Sequence, residues 1–537
     1  MSEVTTAVVE LPPLSPRISD YVDWYAQRTP CAIALVLNEQ RISYRVLRDE
    51  VNKLAKALIQ SGVNKGDRVA TLCPPSPDYF IAFLAAASIG AIWVGLNPKY
   101  QLNELAYVTG DCKPVVLIAR SFIDGADYTA RLKELMALSP SISSLVILDN
   151  EIEPAAKTIS YQNFLAGGVS ISDEHLQKIR QACGDRDPCL IVYTSGSTGK
   201  PKGALLHHQG IVAASIEQNR FWPISSLSML NYFPINHVGC VVDISTPIFV
   251  AGGTIVFMEK FLARQSLEIM EQEKITLWAS VPSVFQIQFS EPEFEQFDLS
   301  AVKLIVWEGS VMPSEMIKRL LTDYDCPLAT NYGMSESCGA ITSLMPTRDL
   351  SLLAKTVGMP ISGVEINLVD GKGKSVEQGC VGEILTRSKY NMLGYWNRPE
   401  ASAQAITEDG WFSTGDLAHQ NSDGSFSIRG RIKEMYKSGG YNVYPREVEN
   451  VIESFPDVEI AAVVSIDDPV WQEVGIAYVL QNKEIQLADL VAYCREKLAN
   501  YKMPKHFALI DEIPLLPIGK VDKVSLKKLA KQQYAKQ

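Results

Sequence analysis

Cys189-Leu-Ile-Val-Tyr193 runs directly into Thr194-Ser-Gly-Ser-Thr-Gly-Lys-Pro-Lys-Gly203, and that junction decides how the whole chain is read. The first five residues are apolar and predict a buried strand. The ten that follow predict a loop with three glycines, four hydroxyl side chains and two lysines. Glycine at 196, 199 and 203 lets backbone come close to a ligand and adopt positive φ. Consecutive N–H groups, with the hydroxyls of Thr194, Ser195, Ser197 and Thr198, can wrap phosphate oxygens. Lys200 and Lys202 neutralise the charge. The spacing departs from GxxxxGK[ST], so this is not a Walker loop. The plain alternative is a flexible surface turn, which seldom packs hydroxyls and lysines behind an apolar strand.

On both sides of this loop, strands alternate with helices. Val51, Leu54, Ala55, Leu58 and Ile59 share one helix face, with Gly62 placed to end it. A strand at Arg68–Cys73 follows. Further on, the pattern predicts a strand at Thr276–Val281, a helix at Ser283–Phe289, a strand at Ala301–Trp307, a helix at Pro313–Asp325 and a strand at Leu328–Tyr332. Such alternation implies βαβ units and largely parallel sheets. Tyr79–Leu96 carries no Lys, Arg or Glu and is near the length of a membrane span. Gly90 interrupts it, so a buried helix running into a buried strand is the better reading, and no integral membrane segment is expected.

After Arg429–Glu434 the rhythm changes. Helices are predicted at Arg446–Ser454 and Leu487–Leu498, and strands at Val458–Ile466, Gly475–Gln481 and His506–Ile510. A Pro-rich turn and a Lys-rich end close the chain. The expected fold class is therefore α/β: a large N-terminal domain of stacked mixed or parallel β-sheets with flanking helices, then a small α+β C-terminal domain.

Composition sets limits. The chain has 537 residues, 47% of them apolar, enough for a sizeable core in two to four units. Its net charge of −11 argues against a nucleic-acid partner. Ten scattered cysteines form no CxxC pair, so no zinc site or disulfide framework is expected, and a reducing, cytoplasmic setting fits. Neither a signal peptide at the start nor a peroxisomal tripeptide at the end is read.

The loop resembles the signature of the adenylate-forming superfamily, which holds acyl-CoA and aryl-CoA synthetases, peptide-synthetase adenylation domains and firefly-type luciferases. The resemblance continues in order along nearly the whole chain. Asn331-Tyr-Gly-Met-Ser-Glu336 is similar to the family's YGxTE element, and Gly394-Tyr-Trp-Asn-Arg-Pro-Glu400 to GYxxxPE. Trp411-Phe-Ser-Thr-Gly-Asp416 is similar to WxxTGD, Arg429-Gly-Arg-Ile-Lys433 to the hinge, and Pro517-Ile-Gly-Lys520 to the terminal PxGK. The closest pattern is that of acyl-CoA or aryl-CoA ligases.

That resemblance implies an ATP-dependent acid–thiol ligase: an acyl-adenylate forms with loss of pyrophosphate, then the acyl group passes to CoA and AMP leaves. It implies ATP and Mg²⁺, with Thr194 and Glu336 as the metal's protein oxygens. The nucleotide would meet Thr194, Ser195, Gly196, Ser197, Thr198, Gly199, Lys200, Lys202, Gly309, Ser310, Asn331, Tyr332, Gly333, Met334, Ser335, Asp416, Arg431 and Lys433. Lys520 would bridge the substrate carboxylate and the α-phosphate, with His237 beside it as a second catalytic candidate. The implied boundary separates residues 1–431 from a mobile 432–537, hinged near Lys433. Lys437, Gly439 and Gly440 would face CoA after the small domain turns. A homodimer is a further expectation.

The acid pocket should include His237, Trp307, Glu308 and Gly333. Trp307-Glu308 stands where small residues are usual in the family, which disfavours a long straight chain and points to a medium, aromatic or alicyclic acid. Glu308 either pairs with a polar substrate group or caps the next helix. By alignment, the amino-group-binding Asp of peptide synthetases falls at Val238, with Asp243 nearby but out of register. CoA is thus favoured over an amino-acid adenylation domain. A stand-alone enzyme loading a carrier protein and a luciferase-like enzyme stay as alternatives.

Overall fold

The computed structural model describes residues 17–149, 157–194, 200–222, 224, 226–516 and 519–534. The strand before the glycine-rich loop, Pro188–Thr194, lies near one edge of a seven-stranded sheet. The sheet runs Lys202–His207, Pro188–Thr194, Ile92–Leu96, Arg68–Leu72, Val116–Ala119, Ser144–Ile147, Thr158–Ser160. All neighbours are parallel except the Lys202–His207 edge, which folds back antiparallel with Thr194 opposite Lys202. The loop thus joins two antiparallel neighbours, and its residues Ser195, Gly196, Ser197, Thr198 and Gly199 lie outside the described residues.

The uncharged Tyr79–Leu96 stretch divides as expected. Helix Pro77–Ser88 is buried at every position except Asp78, and strand Ile92–Leu96 is buried throughout. Between them Gly90 turns at φ +77°, where a Cβ would meet the Cys183 sulfur at 2.8 Å. This is a core helix packed on all sides. Among the described residues no helix is long and apolar enough to cross a membrane.

A second sheet begins with the parallel strands Leu277–Ser280, Leu304–Trp307 and Leu328–Tyr332, then adds antiparallel Thr342–Thr347 and Met359–Pro360. Its three parallel strands match the expected ones within a few residues. A four-stranded sheet (Ser228–Asn231, Thr254–Phe257, Ile33–Leu37, Gln40–Ser43) shares the same apolar core. The antiparallel sheet Val364–Val369, Gly382–Ser388, Phe412–Gln420, Phe426–Arg431 follows. In the C-terminal unit, Gln472–Gln481 pairs antiparallel with Val458–Asp468 and parallel with His506–Ile510.

The two regions have separate cores. Apolar clusters around Val463 and Ile476 draw on residues from Tyr436 onward. The clusters around Trp93, Ile191 and Phe426 draw on residues before Ile432. The architecture is a large multi-sheet α/β domain followed by a smaller α+β one.

Candidate active site

Thr194 closes the strand that opens the glycine-rich loop, and its hydroxyl donates to Glu336 Oε1 at 3.1 Å. Glu336 sits in the short turn Ser335–Ser337 and is 6% exposed. It also accepts from the Tyr395 hydroxyl at 2.9 Å, so the three similarity elements YGMSE, GYW and the loop converge on one carboxylate. Lys202 lies over the Tyr395 ring at 5.0 Å, and Lys200 over Tyr107 at 5.9 Å. Among the described residues no group of three or more His, Cys, Asp or Glu is placed to hold a metal. A carboxylate with a neighbouring hydroxyl nonetheless suits Mg²⁺, which takes one or two protein oxygens and fills its shell with phosphate and water.

Asp416 and Arg431 face each other across the antiparallel pair Phe412–Gln420 and Phe426–Arg431. Arg431 Nε lies 2.8 Å from Asp416 Oδ1, and the Tyr332 hydroxyl donates to Oδ2 at 2.8 Å. Asp416 is 4% exposed, and burial raises its pKa against the pull of Arg431 and Tyr332. Arg431 in turn is held charged, chiefly by Asp416.

Lys520 enters from the C-terminal unit. The Ser283 hydroxyl, at the start of helix Pro282–Phe289, donates to the Gly519 carbonyl at 2.5 Å. Gly519 turns at φ +80°, where a Cβ would sit 2.8 Å from that hydroxyl. The seated loop lays Lys520 across Gly309: a Cβ on Gly309 would meet Lys520 Cε at 2.7 Å and Nζ at 3.2 Å. Burial lowers the lysine's pKa, with Arg431 adding to the effect, while Asp243, Asp416 and Glu308 oppose it.

His237 stands on the facing wall. Its Nδ1 accepts from the Gly239 N–H at 3.0 Å, which leaves the proton on Nε2. Burial and the Lys520 charge push its pKa down to about 3, so the ring is neutral at pH 7. Glu308 accepts from the Asn331 amide at 2.8 Å, and Asn331 accepts from the Ser343 hydroxyl at 2.5 Å. Glu308 therefore does not cap helix Ser314–Asp323, one of the two roles the sequence left open. Trp307 is 2% exposed and packs in the core of the large domain. Gly333 is packed so closely that a Cβ would strike the Gly339 carbonyl at 1.8 Å. Met334 accepts from Ser337 within the same tight turn as Ser335, and Ser310 is exposed beside Gly309.

Two groups of expected residues stand elsewhere. Lys433 is exposed between the strands Phe426–Arg431 and Tyr436–Ser438. Lys437, Gly439 and Gly440 belong to the hairpin Tyr436–Ser438/Tyr441–Val443, where Gly439 packs on the Trp471 ring. Among the described residues no hydrogen bond, ion pair or ring contact joins this hairpin to the surroundings of Lys520. The sequence places Asp243 near the amino-group-binding position but out of register, and so outside the expected site residues. It lies in the π-helical turn Gly239–Ser245. A longer turn shifts side chains away from the faces an α-helical count assigns them.

A cleft with a phosphate-loop strand, a buried acid paired with an arginine at its mouth and an inserted lysine defines a nucleotide-using ligase. The family model for the AMP-binding enzyme matches residues 22–396, and that for the AMP-binding enzyme C-terminal domain matches 447–520. The chain is 32% identical over 517 residues to the indoleacetate–CoA ligase of Aromatoleum aromaticum, covering 95% of this chain and 98% of that one. It is 32% identical over 505 residues to a feruloyl-CoA synthase of an Amycolatopsis species, covering 92% and 95%. Among solved structures, the amide bond synthetase McbA of Marinactinospora thermotolerans is 26% identical with a TM-score of 0.83, covering 95% of this chain and 99% of that one. The chain belongs to the AMP-binding enzyme family and is an adenylate-forming ligase.

Proposed function

We propose that this enzyme activates an aromatic or alicyclic carboxylic acid with ATP and Mg²⁺ and passes the acyl group to CoA. The observation that carries the residue assignments is the seating of Lys520 on Gly309, beside His237 and within electrostatic reach of Asp416 and Arg431. In the first step an oxygen of the substrate carboxylate bonds to the α-phosphorus, and the bond to the bridging oxygen breaks as pyrophosphate leaves. Lys520 offsets the charge that develops between carboxylate and phosphate. His237, protonated on Nε2, donates to the carboxylate and orients it. Asp416 accepts from the ribose hydroxyls while Arg431 covers the phosphate. Thr194 and Glu336 would hold Mg²⁺, which neutralises the pyrophosphate as it departs.

For the second step we place the boundary after Arg431, with Lys433 as the hinge about which residues 432–537 turn. The separate apolar cores support this. Turning would withdraw Lys520 and bring Lys437, Gly439 and Gly440 to the adenylate. The similarity to two enzymes named for aryl-containing acids supports the acid class. Likeness to an amide bond synthetase favours one second reading, in which an amine replaces the thiol. The free cysteines support a cytoplasmic setting, and sedimentation would test for a homodimer.

The test uses purified enzyme, ATP, Mg²⁺ and a panel of acids, with CoA, an amine or neither. AMP, pyrophosphate and a thioester are expected. ADP as product would overturn adenylation. Amide in place of thioester would select the second reading. Adenylate with neither acceptor consumed would point to a carrier protein or luciferase-like chemistry.

A further inference from the structure

Two carboxylates line the acid side of the cleft, and the reaction above uses neither. Asp243 comes from the π-helical turn Gly239–Ser245, and Glu308 follows strand Leu304–Trp307. They lie on different elements yet within electrostatic reach of each other and of Lys520. The Asp243 carboxylate rests on the backbone of Gly339, where a Cβ would sit 1.7 Å from Oδ1. The space over Gly239 joins it to His237: a Cβ there would lie 3.0 Å from His237 Nδ1 and 4.0 Å from Asp243 Oδ2.

Their partners are incomplete. Glu308 accepts one hydrogen bond, from Asn331. Among the described residues no hydrogen bond or ion pair reaches the Asp243 carboxylate, and none reaches Lys520 Nζ. All four groups keep some accessible surface while burial strongly shifts their protonation, the mark of side chains lining a deep cleft. Burial pushes Asp243 up to about 7, and burial with the neighbouring Asp243 raises Glu308 well above the usual carboxylate range, so the pair holds a proton near neutral pH.

We infer that Asp243 and Glu308 form a hydrogen-bond-accepting pair that selects an acid bearing an O–H or N–H donor on its body. This rests on the proposed function, since it names the substrate class of the same site. With one proton on the pair, its remaining oxygens still only accept, so a hydrocarbon body against Asp243 leaves acceptors buried without a partner. Lys520 does not remove that need, because the reaction commits it to the carboxylate end. A site built to accept from a substrate donor discriminates strongly against the analogue that lacks it. The second candidate role for Glu308, pairing with a polar substrate group, is thereby extended to a residue that sequence reading set aside.

Matched acids test this: benzoate against its hydroxy- and amino-substituted forms, and cyclohexanecarboxylate against its hydroxylated form. Pyrophosphate release gives kcat/KM, and thermal shift in the presence of AMP gives binding without turnover. The wild type should favour a donor-bearing acid by roughly 10²-fold, the loss expected when one buried acceptor is left unpaired. Asp243→Ala and Glu308→Ala should each bring that ratio down towards one. Equal loss on both members of a pair, with the ratio unchanged, would make the carboxylates counter-ions of Lys520 and overturn the inference. A wild type that favours the unsubstituted acids overturns it too, whether or not the variants fold. Absence of pyrophosphate with every acid would count against the proposed reaction, and the thermal shifts would still decide the preference.

Discussion

Gly309 and Lys520 make one contact from opposite ends of the chain. Gly309 is held at φ +82°, in the left-handed region, and its missing Cβ is the space Lys520 Cε fills. Alanine there is disfavoured by backbone and by contact together. Gly309→Ala should therefore slow pyrophosphate release by about 10²-fold, close to the loss from Lys520→Ala. The double variant should lose little more than either single one, since both remove the same placement. Conversion of supplied acyl-adenylate to thioester should be largely spared in both. Fully multiplicative losses would separate the two residues. At this scale the motifs carried much of the site: Thr194, Glu336, Asp416, Arg431 and Lys520 all stand in quoted elements. Asp243 is set aside as out of register, because its position depends on a π-turn that no residue type in Gly239–Ser245 announces.

Elements were legible where burial is two-sided. The stretches Ala91–Leu96 and Arg68–Cys73 fall within a residue of strands Ile92–Leu96 and Arg68–Leu72, buried throughout or at all but the first position, since a short, largely apolar run flanked by turn residues leaves little choice. The antiparallel sheet Val364–Ser388 to Phe426–Arg431 was not anticipated. Strands Gly382–Ser388 and Phe412–Gln420 alternate buried and half-exposed positions, but their buried positions include Gly382, Thr386, Thr414 and Asp416, so no apolar period marks them. The small domain is pinned by charge as well as by apolar contact. Lys523 lies 2.6 Å from Glu434 and 2.8 Å from Glu449, while Arg446 reaches Glu449 and Glu453 at 3.4 and 2.5 Å. Glu449 and Glu453 also accept the N–H groups of Val463 and Ala461. Lys523→Met leaves Glu449 buried with one fewer cation, so unfolding free energy should fall by about 2 kcal/mol. Urea denaturation followed by circular dichroism measures it, and an unchanged midpoint would mean the lysine is not part of the support.

Over the whole molecule, buried histidines should make stability sensitive to acid. Burial pushes His208 down to about 3 and His207 to about 4, both without charge at pH 7. The unfolded chain binds protons at these rings near pH 6.5 while the folded one does not, so their contribution is full above that value and falls as pH drops. Relative to wild type, His208→Leu should gain about 2 kcal/mol between pH 7 and pH 5. Chemical denaturation at the two pH values reads this. A constant difference would show that the ring is already protonated or exposed in the folded state.

The separation of apolar cores has a consequence for inheritance. Substitutions that refill the packing around Val463 or Ile476 meet no neighbour in the clusters around Trp93 or Ile191. Each half can therefore accumulate change at its own pace. The coupling between them is concentrated in a few contacts, among them Ser283 with Gly519 and Gly309 with Lys520. A lineage could remodel the acid-binding wall repeatedly while carrying the same lysine-bearing half along, as one tool head is kept through many handles. Scanning calorimetry gives the physical counterpart: two endotherms rather than one, with the smaller surviving exchange of its partner for that of a relative.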